Sequence, residues 1–174
     1  MKTKFALAAA LALLASPALG FSDLTDAVDG RYFDPATTTV DGPTLVLGLH
    51  TGTDPVKWFM KDFQAGGSSN RKVATDAVSV ALEGCPTRAT ATIEGIASVA
   101  NNGATVMSVS MAGGAQPAVV EFVRAAVGQG LFVRTVQVEA ECLTTVHLTI
   151  SLFAHSTPSG NPSIRITAAE IAVE

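Results

Sequence analysis

Two stretches of equal length govern how this chain is read: residues 45–66, LVLGLHTGTDPVKWFMKDFQAG, and residues 107–128, MSVSMAGGAQPAVVEFVRAAVG. In each, three apolar side chains alternate (Leu45, Leu47 and Leu49; Met107, Val109 and Met111). A glycine follows (Gly52, Gly114), then a proline (Pro55, Pro117), then a run closed by a second glycine (Gly66, Gly128). Alternation at every second residue marks a strand with one covered face. Asp54 suits a helix N-cap, Pro55 suits the first helical position, and Val56, Phe59, Met60 and Phe63 recur at helical spacing. The first stretch therefore predicts a strand, a turn and a helix ended by Gly66-Gly67. The same punctuation in the second predicts another helix from Pro117 to Gly128.

Beyond each of these stretches lie two more strand-like runs with a cysteine at their junction: residues 73–83 and 88–93 around Cys85, and residues 131–141 and 143–153 around Cys142. The pattern Cys-x-Thr-x5-Ile occurs at both junctions, as Cys85, Thr87, Ile93 and as Cys142, Thr144, Ile150. This suggests a duplicated strand-helix-strand-strand unit, with repeats over 44–95 and 104–154 and a final strand over 163–173. Facing follows from alternation. Val78, Val80 and Leu82 oppose Ala77, Ser79 and Ala81, and Val146, Leu148 and Ile150 oppose Thr145, His147 and Thr149. One face is apolar and the other is threonine and serine, as in an antiparallel sheet covered on one side. Parity switches between Val133 and Val136 and between Ile166 and Ile171, which predicts a bulge or bend in each strand. The expected fold is α+β, a mostly antiparallel curved sheet of roughly six to nine strands with two helices on one face.

The beginning of the chain carries an address. Lys2 and Lys4 precede an apolar run from Phe5 to Ala15, and Ala18-Leu19-Gly20 offers small residues for cleavage, so residues 1–20 read as a secretory signal peptide. The run is too short for a transmembrane anchor. Residues 21–43 read as a polar arm with turn chemistry at Asp34-Pro35 and Asp41-Gly42-Pro43, a helical turn after Ser22-Asp23 and a short extended piece near Thr39. Residues 44–174 read as one domain. An exported chain works in the periplasm or outside the cell, where an even pair of cysteines is expected to bridge, here Cys85 to Cys142. The formal charge is −4, with 11 basic against 15 acidic residues. That balance lacks the cationic density that nucleic acid requires.

Candidate chemistry is sparse. His50 stands before the Thr51-Gly52-Thr53-Asp54 turn at an expected helix N-terminus, so His50 and Thr53 are the candidate ligand contacts, with Trp58 on the first helix as a possible groove wall. His147 and His155 form no pair at metal-ligand spacing, and no metal or cofactor is expected. Asp23, Asp26, Asp29 and Asp34 lack the pattern of a calcium loop and read as solvated acid. No nucleophile motif occurs, and Glu139 with Glu141 is the one carboxylate pair on a single strand side. These absences favour a non-enzymatic protein that binds a protein or small ligand in the envelope through a bare sheet face or a strand edge. The alternatives are a small-molecule binder using a groove between the two helices, an envelope hydrolase combining His50, Asp54 and Glu139 or Glu141, and an assembly subunit that self-associates through a strand edge.

Overall fold

The apolar alternation is satisfied by strands packed on strands. The computed structural model describes residues 19–23, 33–49, 70–99, 103–114, 118–124, 128–156 and 162–174. Among these residues run ten strands and no helix: β1 (Gly20–Asp23), β2 (Thr39–Asp41), β3 (Thr44–Val46), β4 (Asn70–Glu83), β5 (Arg88–Val99), β6 (Ala104–Gly113), β7 (Val119–Arg124), β8 (Gly128–Glu139), β9 (Thr145–Ser156) and β10 (Ser163–Val173). They form two five-stranded antiparallel sheets, ordered β1-β4-β9-β6-β7 and β2-β3-β10-β5-β8. For convenience the first is called the β9 sheet and the second the β5 sheet.

The core lies between them. Val78 and Val80 of β4, Val146, Leu148 and Ile150 of β9, and Met107, Val109 and Met111 of β6 are buried. So are Ala89, Ala91 and Ile93 of β5 and Ile164, Ile166, Ala169 and Ile171 of β10. This is a β-sandwich-like arrangement, in which the inner faces of two sheets bury each other and leave the alternate residues outside.

The expected α+β fold is thereby corrected. The apolar face of β4 and β9 is covered by a second sheet, so the single sheet with two helices is replaced by two sheets. Where a helix is expected over residues 117–128, the described residues 119–124 form strand β7 and Gly128 begins β8. β7 pairs antiparallel with β6, from Met111 opposite Val119 to Val106 opposite Arg124. Val119 and Val120 explain the outcome: β-branched side chains lose rotamer freedom in a helix and fit a pleated surface, and a proline precedes a strand as readily as a helix. The other expected helix, over residues 55–66, falls outside the described residues. The duplicated strand-helix-strand-strand unit is corrected with it, since β6 lies beside β9 while its counterpart β3 is separated from β5 by β10.

Of the two expected parity switches, one is present. The β10 register shifts between Ile166 and Ala168, which carries the inward face from Ile164 and Ile166 to Ala169 and Ile171. β8 keeps an unbroken register against β5 from Gly128 to Glu139. Its inward residues are Phe132, Val136 and Val138, whereas Val133 is exposed. The segment read as an arm contributes β1, β2 and Phe33, whose ring is fully buried and whose N–H donates to the buried Asp76 carboxylate at 3.3 Å.

Candidate ligand-binding face

Three strands of the β9 sheet present their polar side outward. Register sets Thr75 of β4 beside Ser151 of β9 and Ser108 of β6. The next row is Ala77, Thr149 and Ser110, and the one after is Ser79, His147 and Ala112. Side chains on one face recur every second residue, so the rows lie about 6.8 Å apart and the strands about 4.8 Å apart. The nine positions therefore make a low, regular grid of small side chains. Six of them carry a hydroxyl, and none is an aspartate, glutamate, lysine or arginine.

Local hydrogen bonds fix part of this grid. The Thr75 and Ser151 hydroxyls lie 2.9 Å apart, and Ser79 Oγ lies 2.7 Å from His147 Nδ1. Each hydroxyl keeps further donor or acceptor capacity for a ligand, because it offers one donor and two lone pairs. One row further along, Val73, Phe153 and Val106 form an apolar border, with Val73 exposed and the Phe153 ring half-buried. A ring at the margin of a hydroxyl array can cover a ligand's apolar face while the hydroxyls meet its polar edge.

Ser79 and His147 do not have the arrangement of a nucleophile and its base. In a serine triad the imidazole meets serine through Nε2 and a carboxylate holds Nδ1. Here Nδ1 faces the serine. The pair orients a polar surface.

A second feature lies at one corner of the sandwich, where the chain passes from β4 to β5 and from β8 to β9. Cys85 and Cys142 form the expected disulfide across these two connections. Gly84 and Cys85 both take positive φ, 75° and 58°, to make the sharp passage. A side chain in that region is disfavoured by about 1–2 kcal/mol, so the surrounding bonds must hold it. Beside the bridge, Thr87, Arg88, Glu139, Ala140 and Glu141 line an open depression of about 380 Å³. Arg88 donates to Glu139 at 2.9 Å and to Glu174 at 3.0 Å. The hydrogen bond and charge of Glu139, followed by the charge of Glu174, raise the Arg88 pKa above its ordinary value. Glu139 is thus committed to an ion pair, and both guanidinium contacts are exposed and internally matched.

The candidates named from sequence divide accordingly. His50, Thr53 and Trp58 lie outside the described residues, as does Asp54. His147 stands in the hydroxyl grid, and His155 sits on the same outer side two rows beyond it, with its Nδ1 buried and without a partner. Glu139 and Glu141 share the corner depression. Sequence reasoning recognised the Ser/Thr side of β4 and β9 and named a bare sheet face as a binding surface, but chose none of its residues as ligand contacts. The signal was available, because alternation in β4, β6 and β9 gives the same small polar residues on matching faces. What the sequence lacked was the strand order that sets them side by side.

Among the described residues no helix is long and apolar enough to cross a membrane, and no three His, Cys, Asp or Glu side chains gather as a metal site. No family model matches the chain, and no curated protein matches it. The structure of TmCBM61 in complex with β-1,4-galactotriose aligns with 92% of this chain and 90% of that one, at 7% identity and a TM-score of 0.33. A likeness that weak carries no argument about this protein.

Proposed function

We propose that this is an exported, non-enzymatic binding protein that takes a neutral, hydroxyl-rich ligand, an oligosaccharide, on the outer face of the β9 sheet. The observation that carries the reading is the uncharged grid of Thr75, Ser79, Ser108, Ser110, His147, Thr149 and Ser151, bordered by Phe153. Serine and threonine hydroxyls both donate and accept, which matches the alternating needs of sugar hydroxyls without the desolvation cost of a buried charge. The ring of Phe153 offers the apolar contact that orients a sugar face. The disulfide supports the exported address, since such bridges persist in oxidising compartments, and the leader-like residues 1–20 agree with it.

Binding to an array of neutral and uronate-containing oligosaccharides tests this, with calorimetry on the neutral ones that bind. Thr149, in the middle of the grid, is the informative position. Thr149→Arg places a long charged side chain across the rows, and affinity is expected to fall about tenfold or more, as when a polar group is left imperfectly paired. Preference for acidic sugars, binding to none of the array, or undiminished binding by Thr149→Arg would each reject the reading.

A further inference from the structure

The second sheet ends on a strand whose outer edge is open among the described strands. The direction of its backbone groups follows from the hydrogen bonds at its neighbour. Arg88 N donates to Glu174 O at 3.1 Å and Glu174 N donates to Arg88 O at 2.9 Å, so Arg88 turns both backbone groups toward the β10 side. Alternate residues of an antiparallel strand turn the opposite way. Ala89, Ala91, Ile93 and Gly95 therefore bond to Val138, Val136, Arg134 and Phe132. It follows that Leu131, Val133 and Thr135 direct their N–H and C=O groups to the open edge.

Those same residues carry exposed side chains on the sheet's outer face. Leu131 is 84% exposed and Val133 51%. β8 is twelve residues long and holds no proline, so nothing in its backbone prevents a further strand from pairing. A long open edge with exposed apolar side chains is a template for another strand.

We infer that two copies of this chain pair antiparallel along β8, about a two-fold axis at Phe132. An edge-to-edge pair must set outward-turned residues opposite each other, and this register does so. Leu131 meets Val133 of the second copy, and Val133 meets its Leu131, which brings the four exposed apolar side chains together. Arg134 falls opposite Gly130 of the second copy and Val136 opposite its Gly128, so bulk faces glycine in both places. A Cβ built at Gly130 meets nothing within 4 Å, which leaves room for the arginine stem. The neighbouring even register, centred on Arg134, would set the two guanidinium groups against each other and is disfavoured by like charge.

Arg134 has a second part in this edge. Its Nη1 donates at 2.7 Å to the Val133 carbonyl, one of the groups turned to the open side. In the single chain this bond occupies the acceptor that Leu131 N–H of the second copy would use. The guanidinium thus opposes pairing until it swings over Gly130. The two-fold axis of such a pair stands perpendicular to the shared sheet, so both β9 sheets lie on the same side. Two copies of the proposed ligand face would then point in one direction, which raises avidity for a repeating ligand.

Sedimentation of the full disulfide-bonded chain across a concentration series tests the pairing without any ligand, so its outcome is separate from that of the sugar array. A reversible monomer–dimer equilibrium is expected. Val133→Lys should weaken it about tenfold or more by opposing the apolar contact twice, and Arg134→Ser should strengthen it by freeing the carbonyl. Register is read by cross-linking: a mixture of Leu131→Cys and Val133→Cys chains should form intermolecular disulfides faster than either alone. A chain that stays monomeric throughout, a dimer indifferent to Val133→Lys, or equal cross-linking in all three samples would overturn the inference.

Discussion

Gly95 in the middle of β5 shows how one missing side chain sets the local packing. A Cβ there would strike the ring of Phe132 and the carbonyl oxygen of Arg165, and the second of these is backbone that cannot rotate away. The glycine lets the largest side chain of β8 lie across the sheet at a place where alternation would otherwise demand an apolar residue. Gly95→Ala should therefore cost about 1–3 kcal/mol, the usual penalty of overpacking, read as a lower urea midpoint at unchanged slope. Thr105 of β6 poses the opposite case. It is fully buried, and its hydroxyl has no partner. Thr105→Val keeps the shape and removes the stranded polar atom, so the variant should be more stable by about 1 kcal/mol in the same urea titration. A loss of stability would mean that the hydroxyl is bonded in solution.

Strand by strand, legibility in the sequence depended on whether one physical signal or two were present. β10 was readable to its ends, 163–173, because apolar residues alternate on both sides of its bulge and turn residues flank it. β4, β6 and β9 were readable for the same reason, down to which residues face outward. In β8 a parity switch was expected between Val133 and Val136, yet the strand keeps one parity: Val133 is exposed and Phe132 is buried, because Gly95 makes room for its ring. That information lies in another strand. β7 was misread because Pro117 and Gly128 frame it as they would a helix, and only its valines argue for a strand. Most of the hydroxyl-lined face was likewise written in the alternation, but its nature as a site depended on β6 pairing with β9 and β9 with β4, pairings between strands far apart in sequence that no local pattern announces.

For the whole molecule the disulfide has a position that bears on how the two sheets form. Cys85 and Cys142 are 57 residues apart, and pairing starts on either side of them: Ala81 opposite Thr145 in one sheet, Arg88 opposite Glu139 in the other. Between these starts the corner is closed by Leu82 N to Thr144 O at 2.9 Å, Leu143 N to Pro86 O at 2.7 Å and Ala140 N to Thr87 O at 3.0 Å. Both long ladders, β4 with β9 and β5 with β8, therefore run outward from the bridge. In the oxidised chain the loop that each ladder must close is already closed, and each further pair adds next to an existing one. Loop closure is the main entropic obstacle in a sheet protein built on distant pairings. On the chain-entropy account, replacing both cysteines by serine should lower stability by about 4 kcal/mol. Because the bridge sits where pairing begins, most of that loss should appear as slower folding, with unfolding nearly unchanged. Stopped-flow refolding and unfolding of the Cys85→Ser, Cys142→Ser double variant against the oxidised chain separates the two. Faster unfolding at an unaltered folding rate would show that the corner forms late and that the sheets nucleate elsewhere.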